Sequence, residues 1–435
     1  MSYIDARLDK ERDIIHVVER VDGRREYREY PANYVFYYED PRGKHKTIHG
    51  APCSKFSTRN NKEFQKELRV NAGRKIHESD INPVLRCLAD NYLGTDAPKL
   101  QTCFFDIEVD FDPERGYSSP GDPFNMITSI TVYLDWCDKL ITLAVPPKSM
   151  SMETAQEVSD KFDDTYMFAR EEEMLETFLD LIEDADVLSG WNSEGYDIPY
   201  TVLRVNRILS KDDTRRFCLW GLHPKKRMFE RFGAENVTFD LMGRVHLDYM
   251  QLYRKYTYEE RHSYALDAIG EYELDERKVQ YEGTLDQLYN NDFEKFLDYN
   301  RQDVMLLVKL DRKLQFLDLA NVIAHDNTVL VPTTMGAVAV TEQAIINEAH
   351  HQGLVVPSRV RKEEHAETQA AGAYVAFPKK GIHEYIGAID LNSLYPSCIR
   401  ALNMGPETVV GQLRPIMTDK YISEKMEAGS SFADA

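Results

Sequence analysis

The sequence predicts a multidomain chain of α/β and α+β class, on three observations. Its 435 residues exceed the size at which a single hydrophobic core stops growing, so two or three domains are expected. Apolar and polar residues alternate over 12–38, which indicates a mixed-sheet N-terminal domain built on antiparallel strands. From residue 101 the order strand, strand, strand, helix, strand opens an α/β layer. With 43% hydrophobic and 11% aromatic residues, such domains have ample material for cores, and a largely disordered chain is excluded.

The elements follow in chain order. Asp22-Gly23 sits between two alternating runs and predicts a hairpin, continued by the aromatic strand YVFYY. Residues 55–100 turn helical and charged, and QTCFFDIEVD at 101 reads as a strand entering a new domain. MITSITVYL from 126 and KLITLAV from 139 are the next strands. Leu175, Phe178, Leu179 and Ile182 form a helical stripe, Val187 to Trp191 a strand, and Pro199 suits the first turn of a helix through Ile208. Residues 225–243 read as a protruding hairpin with its turn at Gly233 to Asn236, and Arg244 to Asp248 as a short strand. Ser263 is placed to cap the helix YALDAIGEY, and a long amphipathic helix runs from about Phe293 past Leu317. Helices continue to about His351, and the strand YIGAIDL from 385 opens a third unit.

Lys plus Arg number 53 against 73 Asp plus Glu, a net charge of −20 that would repel a nucleic acid at long range. The six cysteines show no CxxC pair, so neither a thiolate zinc cluster nor a disulfide framework is expected, and none of the twelve histidines has metal-ligand spacing. No stretch approaches the roughly 18 apolar residues of a membrane span, and MSYIDARLDKERD lacks the apolar region of a secretory signal. A soluble, intracellular protein with no membrane partner is expected.

In the strand at 101, Cys103, Phe105, Ile107 and Val109 face one way and Phe104, Asp106, Glu108 and Asp110 the other. Asp106 and Glu108 are thus close enough to share one divalent cation through hard oxygen ligands. A lone DxE is also common on solvent-facing edge strands. The apolar opposite face argues for a central strand, where unpaired carboxylates are costly without a compensating cation. Asp197, in GWNSEGYDIPY, follows a strand and begins a helix; a helix cap and a metal ligand are both open to it. Tyr299 and Asp303, in DYNRQD, are four apart and share a helix face, as a packed tyrosine beside a surface acid also would.

In combination, DIE, the Asn192-containing NxxxYD and YxxxD resemble the 3′-to-5′ exonuclease domain of family B DNA polymerases. The resemblance implies an RNase H-like domain over 101–315. It implies two Mg²⁺ (or Mn²⁺) ions, with Asp106 bridging both, Glu108 and Asp303 on the nucleophile side and Asp197 on the second ion. Tyr299 would orient the water and Asn192 would contact DNA. The octet DLNSLYPS from Asp390, after an apolar strand, is far more specific than DxE and is similar to the family's first palm motif. There the resemblance assigns catalysis and a further Mg²⁺ to Asp390 with Leu391. It assigns the incoming nucleotide to Leu391, Asn392, Ser393, Leu394 and Tyr395, the tyrosine excluding a ribose 2′-OH. Gly372 and Tyr374, in AGAYV, match the template-contacting turn more weakly.

The resemblance runs through the whole chain and is strongest to the T-even bacteriophage type, also on GAPCSKF at 50 and SYALDAIGEYEL at 263. It implies an N-terminal domain over 1–100 plus about 316–358 and an incomplete palm over 359–435. It also implies DNA (primer 3′ end and template) and replisome proteins such as a sliding clamp and single-strand binding protein as partners, in the host cell cytoplasm. The hairpin near 225–243 would help part primer from template. Neither the fingers motif KxxxNSxYG nor the second palm motif DTDS follows Asp390, so this chain alone is not expected to synthesise DNA. The expected protein is an N-terminal subunit or fragment completed by a C-terminal polymerase subunit carrying fingers, second palm motif and thumb. Two other readings are a stand-alone exonuclease with a vestigial palm and a nucleic-acid-binding regulatory protein. The net charge then loses its force, because metal-bound acids reverse the local field and patches such as Lys225, Lys226 and Arg227 remain to meet phosphates.

Overall fold

The computed structural model describes residues 2–231, 234–359, 375–405 and 408. It divides into one unit of residues 1–38 and 55–358 and a second of residues 39–54 and 359–435.

The first unit opens on an antiparallel sheet of β1 (Ser2–Asp9), β2 (Ile14–Val21) and β3 (Arg24–Pro31). As the sequence indicates, Asp22 and Gly23 make the β2–β3 turn, both with positive φ (48° and 75°), the twist a two-residue hairpin requires. β4 (Tyr34–Glu39) carries the aromatic run. In the second unit β5 (His45–Thr47) pairs antiparallel with the start of β6 (Pro52–Thr58). Back in the first unit come α1 (Asn61–Val70), β7 (Ile76–His77) and α2 (Pro83–Tyr92), the helices capped by the Asn60 and Asn82 side chains. Tyr3, Ile15, Phe36, Phe64 and Leu88 share their core.

The centre of the unit is a six-stranded mixed sheet containing β8 (Thr102–Val109), β9 (Ile127–Leu134) and β10 (Lys139–Ala144). After α3 (Met152–Ser159) come β11 (Thr165–Met167), α4 (Glu171–Leu181), β12 (Val187–Gly190) and α5 (Asp197–Ile208). The hairpin of β13 (Lys225–Arg231) and β14 (Ala234–Asp240) precedes the last strand, β15 (Val245–Asp248). The order is β11-β10-β9-β8-β12-β15, with β9 antiparallel to both neighbours and the other pairings parallel. Cys103, Phe105 and Ile107 pack against Phe178, Leu179 and Ile198, whereas Phe104 packs with Val304 and Leu307 on the opposite side. β8 is therefore a central strand covered on both faces.

Five helices follow the sheet: α6 (Tyr249–Tyr256), α7 (Leu266–Leu274), α8 (Leu285–Asn291), α9 (Phe293–Leu314) and α10 (Phe316–Asp326). α11 (Ala337–His351) and β16 (Leu354–Val355) complete the unit. In the second unit the described helix beyond them is α12 (Leu394–Ala401). No helix among the described residues is long and apolar enough to cross a membrane.

Four local expectations are corrected. The helix from Phe293 ends at Leu314, because Gln315 takes a left-handed conformation (φ 54°) that closes α9 and starts α10 at a new angle. Ala234 to Asn236 are strand rather than turn, pairing in the ladder with Arg231 to Phe229, and Gly233 lies outside the described residues. Ser263 is not a cap; α7 begins at Leu266 behind Ala265, whose backbone N–H the Ser263 hydroxyl accepts instead. Residues 385–389 form no strand, since none of the described residues supplies a ladder partner and an unpaired strand leaves its backbone groups unsatisfied.

Candidate active site

Three elements bring the acids together. β8 presents Asp106 and Glu108 on one face, α9 lies over that face and supplies Asp303, and α5 begins at the strand end with Asp197 as its first residue. One carboxylate oxygen each from Asp106, Glu108 and Asp303 lie within 4.8 Å of one another. Asp197 Oδ1 accepts the backbone N–H of Ile107 at 3.3 Å, between the two β8 acids. The helix N-terminus behind it favours negative charge.

The close approach of β12 to β8 sets this arrangement. A Cβ at Gly190 would lie 2.8 Å from the Phe105 carbonyl oxygen, so only glycine fits where the chain leaves the sheet towards Asp197. Asp248 then pins the connection by accepting the N–H groups of Asn192 (3.0 Å) and Glu194 (3.2 Å). Asn192 itself holds a left-handed backbone, φ 64°. Arg204 locks α5 to α4 by two bonds to Glu171 (2.8 and 2.6 Å), and Glu171 also accepts Ile127 N–H at 2.8 Å from β9.

The electrostatics are strained in one direction. Burial pushes the Asp106 carboxyl well above its ordinary value, and Asp197, Glu108 and Asp303 push it further. Burial raises Glu108 to about 8 with help from Asp303. Burial also raises Asp197 to about 7, against the Ile107 N–H. Asp303 rises through burial although Lys278 opposes it. Four carboxyls so placed cannot all ionise without added positive charge.

Lys278 brings some of that charge and has no counterpart among the sequence-level candidates. Its Nζ donates to Asp303 Oδ2 and, at 3.2 Å, to the Tyr299 hydroxyl. Burial lowers the lysine's proton affinity, but Asp303, Tyr299 and Asp106 together raise it above the ordinary ammonium value. Burial and the Asp303 charge likewise keep Tyr299 protonated. Nothing in the loop sequence DERKVQY marks Lys278. Asn300, whose Nδ2 donates to Asp106 Oδ2 at 2.9 Å, was findable: it stands three before Asp303 on the same helix face.

The donor set suits a hard divalent cation. All the gathered ligand atoms are carboxylate oxygens, and the buried Asp303 Oδ1 has no hydrogen-bond partner among the described residues.

The other expected residues stand elsewhere. Asp390 to Tyr395 lie in the second unit, fully described and exposed, with Ser393 left-handed (φ 51°) at the start of α12. Gly372 and Tyr374 lie outside the described residues. Of the basic trio, Lys225 and Lys226 are exposed, but Arg227 is paired with Glu194 (2.6 Å) and Asp240 (2.8 Å) and offers less charge to phosphates than its sequence implies. These partners are substantially solvated, so Arg227→Ala is expected to change unfolding free energy by less than about 1 kcal/mol in denaturant titration. A loss above about 2 kcal/mol would show the pair to be desolvated in solution.

Residues 56–269 match the family described as DNA polymerase family B, exonuclease domain, and residues 331–431 match DNA polymerase family B. Over 433 residues the chain is 27% identical to a DNA-directed DNA polymerase of Escherichia phage RB69, covering 93% of this chain and 47% of that one. It is 30% identical over 274 residues to a DNA-directed DNA polymerase of Enterobacteria phage T4, covering 62% and 30%. It is 24% identical over 353 residues to a DNA polymerase of Thermococcus litoralis, covering 77% and 19%. The chain thus spans less than half the length of each of these relatives. Asp106, Glu108 and Asp197 fall in the first family match and Asp390 in the second. Two separated stretches pointing to one family, with Asp106, Glu108 and Asp197 inside the exonuclease match, place this chain among the family B DNA polymerases.

Proposed function

We propose that this chain is the N-terminal subunit or part of a phage replicative DNA polymerase and that its carboxylate site removes nucleotides from DNA 3′ ends. The observation that carries the reading is the convergence of Asp106, Glu108 and Asp303 within 4.8 Å, with Asp197 bonded to the same strand. Asp106, Glu108 and Asp303 would hold one Mg²⁺ or Mn²⁺, and Asp106 with Asp197 a second. Bound there, the ions lower the pKa of an attacking water and neutralise charge on the leaving 3′ oxygen.

The chain's own groups do the rest. The Tyr299 hydroxyl, kept protonated, orients the water; Lys278 holds Tyr299 and Asp303 in place and adds positive charge beside the scissile phosphate. Asn192 contacts the terminal nucleotide. An RNase H-like exonuclease domain over 101–315, an N-terminal domain over 1–100 with about 316–358, and the beginning of a palm over 359–435 fit the order of the family matches. In the palm, Asp390 with Leu391 would hold a further Mg²⁺, the backbone through Leu394 would take the triphosphate, and Tyr395 would exclude a 2′-OH. Gly372 and Tyr374 would touch template. Synthesis then needs a completing polypeptide with fingers, second palm acid and thumb, and the working complex would meet a sliding clamp and single-strand binding protein in the host cytoplasm.

The test is direct. With Mg²⁺ and a 5′-labelled DNA single strand, the chain is expected to shorten the strand stepwise from its 3′ end, and excess chelator to stop it. Internal cleavage, or shortening that chelator does not affect, overturns the reading.

A further inference from the structure

The neighbours of Asp106 across the sheet form a single row. Asp106 on β8 stands opposite Thr131 on β9, Thr131 opposite Thr142 on β10, and Thr142 opposite Thr165 on β11. All four side chains face α9, where two consecutive residues join them. Asn300 Nδ2 donates to Asp106, and its Oδ1 accepts the hydroxyls of Thr131 (2.6 Å) and Ser129 (2.8 Å). The Thr131 and Thr142 hydroxyls are 3.0 Å apart, and Arg301 donates to Thr142 (3.0 Å) and Thr165 (3.1 Å). Thr131, Thr142 and Asn300 are completely buried.

Donor chemistry gives this row a direction. A guanidinium only donates, and an ionised carboxylate only accepts. With Thr131 spending its one hydrogen on Asn300, Thr142 must donate to Thr131, leaving its own oxygen to accept from Arg301. Passed along from the donor-only Arg301, the hydrogens of Thr142 and then Thr131 point towards Asn300, so the amide carbonyl faces Thr131 and the NH₂ group faces Asp106. The reversed amide would set a carbonyl oxygen against a carboxylate.

We propose that Arg301, Thr142, Thr131 and Asn300 form a directed hydrogen-bond relay that positions Asp106 for divalent metal, so that Thr142, two strands away on β10, tunes the site. The proposal rests on the reading of Asp106 as a metal ligand. These are positioning residues; none needs to touch substrate. Bonded partners behind metal ligands typically govern about 10- to 100-fold in metal affinity or activity, and Ser129 still holds the amide when Thr131 is lost, so the lower figure applies.

The experiment uses the full chain. Mn²⁺ binding is read by electron paramagnetic resonance, with kcat and KM on a DNA single strand and thermal melting in parallel. Thr131→Val is isosteric and is expected to weaken Mn²⁺ binding about tenfold and lower kcat with KM for DNA unchanged. Thr131→Ser, which keeps the hydroxyl, is expected to behave as the parent. Thr142→Val cuts the relay one link further out and is expected to shift affinity in the same direction, which keeps the idea testable if Thr131→Val does not fold. Parent-like Mn²⁺ affinity in both valine variants, or Thr131→Ser as weak as Thr131→Val, overturns the relay. A parent chain that binds no Mn²⁺ overturns the metal site and the relay with it.

Discussion

Asp106→Ala is expected to slow 3′-nucleotide release by about a thousandfold or more, equivalent to at least about 4 kcal/mol of barrier, while leaving the chain folded. Every other acid of the site is arranged around this one: Asp197, Glu108 and Asp303 all raise its proton affinity, so all lie within its field. Losing it removes the carboxylate proposed to be common to both ions. Stability should move the other way. Asp106 is a half-buried acid among like charges, held by a single amide donor from Asn300, and its removal relieves repulsion. Melting in chelator is therefore expected at or above the parent temperature. Release by the purified variant at a parent-like rate would remove Asp106 from the mechanism.

The second large effect is on stability in the absence of metal. In chelator the protein is expected to become less stable as pH rises from about 6.5 to 8, and Mg²⁺ to reverse the loss. The sign follows from linkage. Glu108 and Asp197 have ordinary carboxyl values of 4.5 and 3.8 when unfolded but about 8 and 7 when folded. Between those limits the folded state holds protons that the unfolded state has lost, so stability is full below the unfolded values and drains away as pH climbs through the folded ones. Other buried acids act lower: Asp5, Asp135, Asp248 and Asp311 are raised only to about 6. The buried His246, depressed to about 3 from 6.5, and His325, which burial also depresses, give an opposite slope that dies away as pH climbs past 6.5. The upper part of the interval, between about 7 and 8, is therefore governed by the carboxylate site. Saturating Mg²⁺ at about 100 to 1,000 times its Kd would return about 3 to 4 kcal/mol. A stability that rises through this interval in chelator would mean that the site acids are already ionised and paired, contrary to the proposed role.

Local rules made much of this molecule legible. Period-two alternation put Asp106 and Glu108 on one face of β8 and Phe105 and Ile107 on the other, and the sheet is covered accordingly. Asp22-Gly23 formed its turn because both residues tolerate positive φ. The rules failed where a local signal had competition. Nothing in the amphipathic stripe after Phe293 announces that Gln315 will turn left-handed, because the break serves the packing of α10 rather than any propensity. YIGAI has strand composition, but composition cannot supply a ladder partner.

The site divides along the same line. The family, the acids and the helix and strand faces that carry them could be read along the chain, since spacing along one element is a local property of covalent geometry. Which elements meet emerges from the folded chain alone: α9 lies on the acidic face of β8, Lys278 reaches Tyr299 and Asp303, and Thr131, Thr142 and Thr165 line up behind Asp106. Strand register is the physical reason. Slipping β9 by one residue would turn Thr131 to the opposite face and bring Ile130 or Val132 towards Asn300. That choice is made by the burial of whole faces across the sheet, which no single segment encodes.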